Sequence, residues 1–203
     1  MHLSSLTPEF QVLIVYNPAA GQSPNLVATL DRVANLWRDL GWRVDIAATT
    51  APGDATTRAQ QAAADGYNAV IAAGGDGTVN EVMNGLIGTN TALGTLPLGT
   101  VNIWAREMGL SMDMLKAATS LAQSDLTKID VGRAGDRYFL LMAGIGFDAA
   151  VTETVCAQAK KRLGAIAYLK QAIQVAWNFR GVRLNLRIDG KRVRGRILMV
   201  VIA

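Results

Sequence analysis

The sequence predicts an α/β fold: a doubly wound parallel sheet, followed by the start of a β-rich, sandwich-like second lobe that we expect to be incomplete. Continuous apolar runs alternate with segments of helical periodicity as far as Gln123, which is typical of a parallel sheet covered by helices on both faces. After Ser124, short segments separated by hairpin-type turns replace this pattern. The chain has 203 residues and is 50% hydrophobic, so it can bury one large core or two modest ones.

The first part of the chain consists of strand–helix units. The apolar run Val12 to Tyr16 predicts a strand. The helix predicted after it, from Asn25 to Leu40, has apolar residues at helical spacing and ends at Gly41. The further predicted elements are strands over 43–48, 67–73 and 93–96, and helices over 54–65, 79–87, 103–107 and 112–123.

The second part of the chain predicts short strands and one long helix. Strands are predicted over 128–133 and 137–143, and again over 183–188 and 192–202 around the hairpin turn Asp189-Gly190. A long helix is predicted from about Asp148 to Phe179. We therefore expect an α/β lobe at 1–126 and a partial β-rich lobe at 127–203. The apolar run at 197–202 would leave an unpaired strand edge at the end of the chain, so we expect the sequence to be a fragment of a longer protein.

Cysteine, histidine and hydropathy restrict the functional class. The single Cys156 excludes an intramolecular disulfide, and the single His2 lies too near the terminus to favour histidine catalysis. No apolar stretch reaches the length of a membrane span, and no signal-peptide pattern begins the chain. These features predict a cytoplasmic protein.

Charge is divided unevenly along the chain. Residues 1–156 carry nine basic and fifteen acidic residues, a net charge of −6, whereas residues 157–203 carry eleven basic residues and the lone Asp189, a net charge of +10. A basic surface attracts anionic lipid headgroups or nucleic acid, although solvated strand faces explain the same charges. Because no nucleic-acid-binding motif is present, we expect peripheral association with an anionic membrane surface and no nucleic-acid partner.

A glycine-rich turn is the strongest functional signal in the sequence. Gly74-Gly75-Asp76-Gly77-Thr78 follows an apolar strand and opens a predicted helix, where free backbone N–H groups and the helix dipole stabilise an anion such as phosphate. A carboxylate in such a turn would repel phosphate unless a divalent cation or a proton lay between them. The turn is neither a Walker motif nor a dinucleotide fingerprint, and an ordinary tight turn would use the same residues. We interpret Asp76 as a residue of Mg-nucleotide chemistry.

Further loops at strand ends have the same character, and together they resemble the diacylglycerol kinase catalytic-domain family, which includes bacterial lipid kinases and sphingosine and ceramide kinases. The residues that carry the resemblance are Asn17-Pro18, Thr49 with Gly53-Asp54-Ala55, Gly74 to Glu81, Pro97-Leu98-Gly99-Thr100 with Asn102, Gly144 to Ala149, and Lys161-Arg162-Leu163-Gly164 with Ala167-Tyr168.

The resemblance implies an ATP-dependent lipid kinase that uses Mg²⁺ and phosphorylates a hydroxyl of a diacylglycerol-like or sphingoid lipid. Asp76 is then the candidate catalytic and metal-binding residue. Lys161 and Arg162 are candidate partners of the triphosphate, although a solvated helix face explains them equally well. In many family members an acidic residue of the later C-terminal part is the catalytic base, so we expect little or no lipid kinase activity from residues 1–203 alone. The implied nucleotide-binding residues are Asn17, Thr49, Gly75, Asp76, Gly77, Thr78, Val79, Asn80, Glu81 and Thr100.

Several alternatives stay open. NAD kinases share the Gly-Gly-Asp-Gly-Thr sequence, and a non-catalytic nucleotide-binding protein would have the same loops. Many diacylglycerol-type members have Asn-Asp after the Gly-Thr turn, whereas Asn102 is followed here by Ile103 and Trp104, which makes the acceptor pocket more apolar. Asp148 is either a headgroup contact or a helix cap. The sequence does not decide whether the protein forms a homodimer.

Overall fold

A computed structural model describes residues 10–20, 25–147 and 180–203. The long helix predicted over 148–179, together with His2, Asp148, Cys156, Lys161 and Arg162, lies outside these residues. The chain forms two compact units, Met1–Leu140 and Leu141–Ala203. The first unit contains β1 (Gln11–Tyr16), α1 (Leu26–Arg38), β2 (Arg43–Ala48), α2 (Asp54–Ala64), β3 (Ala69–Gly74), α3 (Asp76–Leu86), β4 (Ala92–Pro97), α4 (Ile103–Glu107), α5 (Met114–Ala122), β5 (Gly132–Ala134) and β6 (Arg137–Phe139).

The first unit is built on a parallel sheet of four strands in the order β2-β1-β3-β4. All six residues of the inner strand β3 are buried. Such a strand needs apolar side chains on both of its faces, which explains the continuous apolar run in the sequence. The structure confirms the predicted α/β class with a doubly wound parallel sheet.

Helices cover both faces of this sheet. α1 and α5 pack on one face, where Trp37 is fully buried and its indole N–H donates to the backbone oxygen of Ala118 at 3.0 Å. α2 and α3 pack on the other face, around Val15, Val70 and Val82. With its two faces covered, the sheet can meet a ligand only at its ends.

α3 begins at Asp76, three residues before the predicted start at Val79. Gly75 is the extended residue that precedes the helix, and its backbone oxygen accepts the N–H groups of Thr78 at 2.9 Å and Val79 at 3.2 Å. Asp76 and Gly77 therefore form the first helical turn rather than part of a loop.

A short hairpin of β5 and β6 belongs to the first unit, which ends at Leu140, fourteen residues beyond the predicted division after residue 126. The side chain of Asn84 on α3 holds the hairpin: its Oδ1 accepts the Tyr138 N–H at 2.8 Å, and its Nδ2 donates to the Tyr138 oxygen at 2.9 Å. The strand predicted over 128–133 is wrong except for its end, because β5 begins only at Gly132.

The second unit contains antiparallel strands, as predicted for the β-rich lobe. The strands are β7 (Ala143–Gly146), β8 (Val182–Ile188), β9 (Lys191–Ile197) and β10 (Met199–Ile202). β8 and β9 form a hairpin whose turn residues Asp189 and Gly190 have φ values of 47° and 80°. The single strand predicted over 192–202 is divided at Leu198, whose oxygen accepts the Phe147 N–H at 2.9 Å as β10 turns to pair with β7.

In the described part of the chain, no helix has both the length and the apolar character needed to cross a bilayer.

Candidate functional site

Four loops lie side by side at the carboxyl edge of the parallel sheet. Each loop begins where a strand ends, and three backbone hydrogen bonds extend the sheet pairing into the loops. Because neighbouring strands are about 4.8 Å apart, the four loop starts extend over roughly 14 Å. The three bonds run from the N–H of Asn17 to the oxygen of Ala73 at 3.1 Å, from Thr49 to Tyr16 at 2.8 Å, and from Leu98 to Gly74 at 3.1 Å.

The strand order places a crevice between the first and third loops. From β1 the chain passes to β2 on one side, and it then returns to β3 on the other side of β1. In open α/β sheets, ligands bind outside the carboxyl ends of the strands at such a reversal. Asn17 and the glycine turn therefore flank the expected binding position.

The first turn of α3 offers a set of unused backbone donors. In the described residues, the N–H groups of Gly75, Asp76 and Gly77 have no hydrogen-bond partner. Gly77 is exposed, and a Cβ atom added to it would meet nothing within 4 Å. The N–H groups of Thr78 and Val79 already bond to Gly75, and both side chains are buried. An anion would therefore meet the start of the turn.

The Asp76 carboxylate joins the glycine turn to the next loop. Its Oδ2 accepts the Ile103 N–H at 3.1 Å, and its Oδ1 accepts the Trp104 N–H at 3.0 Å. These are the first two N–H groups of α4, whose preceding residue, Asn102, supplies no side-chain cap. Asp76 thus caps a helix that begins 27 residues later in the chain, a role that the sequence analysis missed because no local motif indicates it.

Glu81 connects α3 to the start of α2. Its Oε2 accepts the Gly53 N–H at 3.0 Å, and its backbone oxygen accepts the Thr56 hydroxyl at 2.8 Å. Gly53 has a φ of 86°, a left-handed conformation that favours glycine. Glu81 therefore fixes the loop after β2, while the side chain of Asn80 makes no hydrogen bond to any described residue.

The three remaining candidate residues differ in their freedom to bind. The Asn17 side chain accepts the Ala19 N–H at 2.9 Å, which forms a local turn. Thr49 is half-buried and Thr100 is exposed, and among the described residues neither hydroxyl has a hydrogen-bond partner. The two threonines lie at opposite ends of the row of loops, after β2 and β4.

Asn102 holds the fourth loop closed. Its buried amide accepts the Gly99 N–H at 2.8 Å and donates to the Gly99 oxygen at 2.7 Å. Gly99 packs so closely against Gly75 that a Cβ atom added to Gly99 would lie 2.8 Å from the Gly75 Cα. The third and fourth loops are thus in backbone contact, and a side chain at this position would separate them.

A polar cavity of about 440 Å³ opens beside the fourth loop, on the face of the sheet that α1 and α5 cover. Arg106 contributes the one basic side chain of its lining, and its Nε donates to the Val101 oxygen at 2.8 Å. No motif in the sequence singled out Arg106 or this cavity. The lining residues are Leu26, Thr29, Pro97, Leu98, Gly99, Thr100, Asn102, Arg106, Met112, Asp113 and Met114.

Charge differs between the two ends of the row. At the β2 end, the Thr50 N–H and the neighbouring Arg58 guanidinium hold the pKa of Asp54 below its ordinary value. At the β4 end, Arg106 has no carboxylate partner among the described residues. The two ends therefore differ: Asp54 is paired with Arg58 at the β2 end, whereas at the β4 end Arg106 and Asp113 line one cavity without a described ion pair.

The residues near the glycine turn can supply only some of the ligands that a metal ion needs. In residues 10–20, 25–147 and 180–203, no group of three or more His, Cys, Asp or Glu side chains is close enough to ligate one ion. Each oxygen of Asp76 accepts one N–H and keeps a second lone pair. A Mg²⁺ ion at this position would take most of its ligands from phosphate and water, as is usual for that ion with nucleotides.

Comparison with known proteins identifies related sequences and structures. Residues 11–134 match the diacylglycerol kinase catalytic domain. The chain is 35% identical over 192 residues to a diacylglycerol kinase of Bacillus subtilis, covering 93% of this chain and 63% of that protein. It is also 35% identical over 184 residues to a "Probable lipid kinase YegS-like" protein of Chromohalobacter salexigens, covering 88% and 58%.

A solved structure supports the same relationship. The crystal structure of a diacylglycerol kinase from Bacillus anthracis superimposes with a TM-score of 0.70 at 28% identity, covering 95% of this chain and 63% of that one. The chain thus spans less than two thirds of the length of these relatives.

Proposed function

Because the chain belongs to the diacylglycerol kinase catalytic-domain family, we propose that it is part of an ATP-dependent lipid kinase. This enzyme transfers the γ-phosphoryl group to a hydroxyl of a diacylglycerol-like or sphingoid lipid. The observation that carries the proposal is the row of loops at the carboxyl edge, with its unused N–H groups at Gly75, Asp76 and Gly77. Backbone donors at a helix start are suited to phosphate.

The proposed nucleotide lies along the row of loops. Its phosphates meet the first turn of α3, and the hydroxyls of Thr49 and Thr100 make contacts near its two ends. Arg106 is our candidate for the positive charge that the glycine turn lacks, because it lines the cavity beside Thr100 and has no described carboxylate partner. Asn17 in the loop after β1, together with Asn80 and Glu81 on α3, completes the proposed binding site.

Asp76 has two tasks in this proposal. It holds the start of α4 against the glycine turn, which fixes the two loops that meet the phosphates. Its remaining lone pairs are available to water on a Mg²⁺ ion or to the proton of the acceptor hydroxyl. The metal would neutralise charge that develops on the transferred phosphoryl group. Phosphoryl transfer depends chiefly on positioning and electrostatic stabilisation, so movement of either loop should slow it.

A radiolabelled-ATP assay with a panel of acceptors, made on the chain extended to the length of its relatives, tests this function. The panel contains diacylglycerol, sphingosine, ceramide and NAD, each with Mg²⁺. We expect label in a lipid product and none in NAD. Label in NAD alone would establish the NAD kinase alternative, and ATP binding without transfer to any acceptor would favour a non-catalytic nucleotide-binding role.

A further inference from the structure

The hairpin of β8 and β9 carries arginine on one face only. Residues directly opposite each other in an antiparallel pair project from the same face of the sheet. The register of this hairpin therefore collects five guanidinium groups on one face, which we call the arginine face, and all of these side chains are exposed. The opposed pairs on this face are Arg183 with Arg196, Asn185 with Arg194, and Arg187 with Arg192.

The opposite face of the hairpin is apolar except at the turn, where Lys191 lies opposite Ile188. Val182 lies opposite Ile197, and Leu186 lies opposite Val193. Leu184, Leu186 and Ile197 are half-buried within their unit. Val182, Ile188 and Val193 on the same face are exposed. The hairpin thus packs through only part of its apolar face, whereas the whole arginine face is exposed.

The charges on the arginine face are not compensated within the hairpin. Two arginine pairs stand directly opposite each other, an arrangement that destabilises a sheet. The one acidic residue of the hairpin, Asp189, lies in the turn, and in the described residues none of the five arginines forms an ion pair. An anionic partner would remove this repulsion.

We propose that the arginine face docks on the surface of an anionic lipid bilayer. A flat array of guanidinium groups matches phosphates that are spread over a plane, and each guanidinium can bind phosphate with two parallel hydrogen bonds. The face carries no aromatic side chain on which a nucleic-acid base could stack. This inference deepens the proposed function, since a lipid acceptor lies in a bilayer. Vesicle binding requires no catalytic turnover, so the docking proposal and the kinase proposal can fail independently of each other.

Vesicle sedimentation with the full chain tests the proposal. The protein is mixed without nucleotide with vesicles of phosphatidylcholine alone, or of phosphatidylcholine and phosphatidylglycerol in equal parts. We expect it to bind the second kind, and we expect high salt to weaken binding. Arg187→Gln/Arg192→Gln should partition about 30-fold more weakly, because each basic residue near an anionic surface contributes about 5-fold.

Two variants separate the arginine face from other causes. Arg32→Gln/Lys128→Gln removes the same charge from exposed sites in the first unit and should bind vesicles as the unaltered chain does. Arg187→Lys/Arg192→Lys keeps the charge and should retain vesicle binding. Retention would show that the loss of binding in the glutamine variant is electrostatic. Circular dichroism checks that each variant is folded. Equal binding to both kinds of vesicle, equal loss in the control, or tighter binding to an oligonucleotide than to phosphatidylglycerol would overturn the proposal.

Discussion

Strand burial differs between the parallel sheet of the first unit and the β8–β9 hairpin of the second unit. All six residues of β3 are buried, whereas six of the seven residues of β9 are exposed. The sheet has helices on both faces. The hairpin alternates between a largely apolar face, which is half-buried at Leu184, Leu186 and Ile197, and an arginine face that is exposed throughout.

This difference indicates where each region can meet another molecule. A sheet with both faces covered offers only the ends of its strands, where loops bring backbone N–H groups together. A hairpin with one open face offers a surface instead, and its charge selects the partner. Our proposals therefore put nucleotide binding at the edge of the sheet and membrane docking at the face of the hairpin. Changes in one region should leave the other proposed function intact.

The largest effect should come from Asp76→Asn. Loss of a carboxylate that orients the metal or accepts a proton should reduce transfer to lipid at least ~100-fold. The amide also places an NH2 group against one of the two α4 donors, so the free energy of unfolding should fall by about 1 to 2 kcal/mol. Kinetic assays and urea denaturation measure the two effects.

The same variant sharpens the comparison of the two regions. Asp76→Asn should bind phosphatidylglycerol vesicles as the unaltered chain does, because the arginine face lies on the hairpin. Near-normal turnover would remove Asp76 from the mechanism. A simultaneous loss of vesicle binding would contradict the separation of the two functions.

Among these substitutions, Asn102→Ala should lower the free energy of unfolding the most. The substitution removes two hydrogen bonds to Gly99 from a buried site and places alanine in a left-handed conformation with a φ of 50°. We expect the free energy of unfolding to fall by about 2 to 4 kcal/mol. The exposed Asn90→Ala provides the control, with a change below about 0.5 kcal/mol. Urea denaturation decides, and equal values for the two variants would show that the loop needs no closure by Asn102.

The fold of both regions could be predicted from the sequence to a large extent. Buried parallel strands leave continuous apolar runs, and a hairpin leaves alternation around Asp189-Gly190; both patterns are local. The predictions that were wrong are those that depend on contacts between residues far apart in the chain. β5 begins later than predicted and its hairpin packs on α3 through Asn84, while the strand predicted over 192–202 divides at Leu198 to pair with β7.

The candidate site could be predicted only in outline. The loops after the strands were recognised from glycine, asparagine and threonine, and the structure brings those after β1, β2, β3 and β4 to one edge. The bond from Asp76 to α4 and the cavity beside Arg106 depend on residues far apart in the chain or on the shape of a loop. No periodicity or spacing encodes such contacts.

A smaller effect concerns the β2 end of the sheet edge. The hydrogen bond from the Thr50 N–H, with help from Arg58, lowers the pKa of Asp54 in the folded chain. A lowered pKa stabilises the fold above the ordinary pKa of aspartate, and this stabilisation is lost as the pH falls through the folded value. Asp54→Asn should therefore be less stable than the unaltered chain near neutral pH, with a difference that narrows below about pH 4.

Thermal unfolding at several pH values measures this difference. Asp31→Asn is the control, since Asp31 is exposed and forms no hydrogen bond or ion pair with any described residue. A difference for Asp54→Asn that stays constant across the acidic range would show that the carboxylate charge does not stabilise this loop.

The most direct test of the central claim compares Gly77→Ala with Gly195→Ala in calorimetric titrations of Mg-ATP. At both positions a new methyl group would meet nothing within 4 Å, so neither substitution strains the fold. Gly77 lies in the first turn of α3 and Gly195 lies in β9. If phosphate occupies the space beside Gly77, its alanine variant should bind ATP at least about tenfold more weakly, since each 1.4 kcal/mol of lost contact is tenfold in affinity, while Gly195→Ala binds as the unaltered chain does. Equal ATP affinity for all three folded proteins, or no ATP binding by the unaltered chain, would contradict the assignment of nucleotide binding to the edge of the sheet.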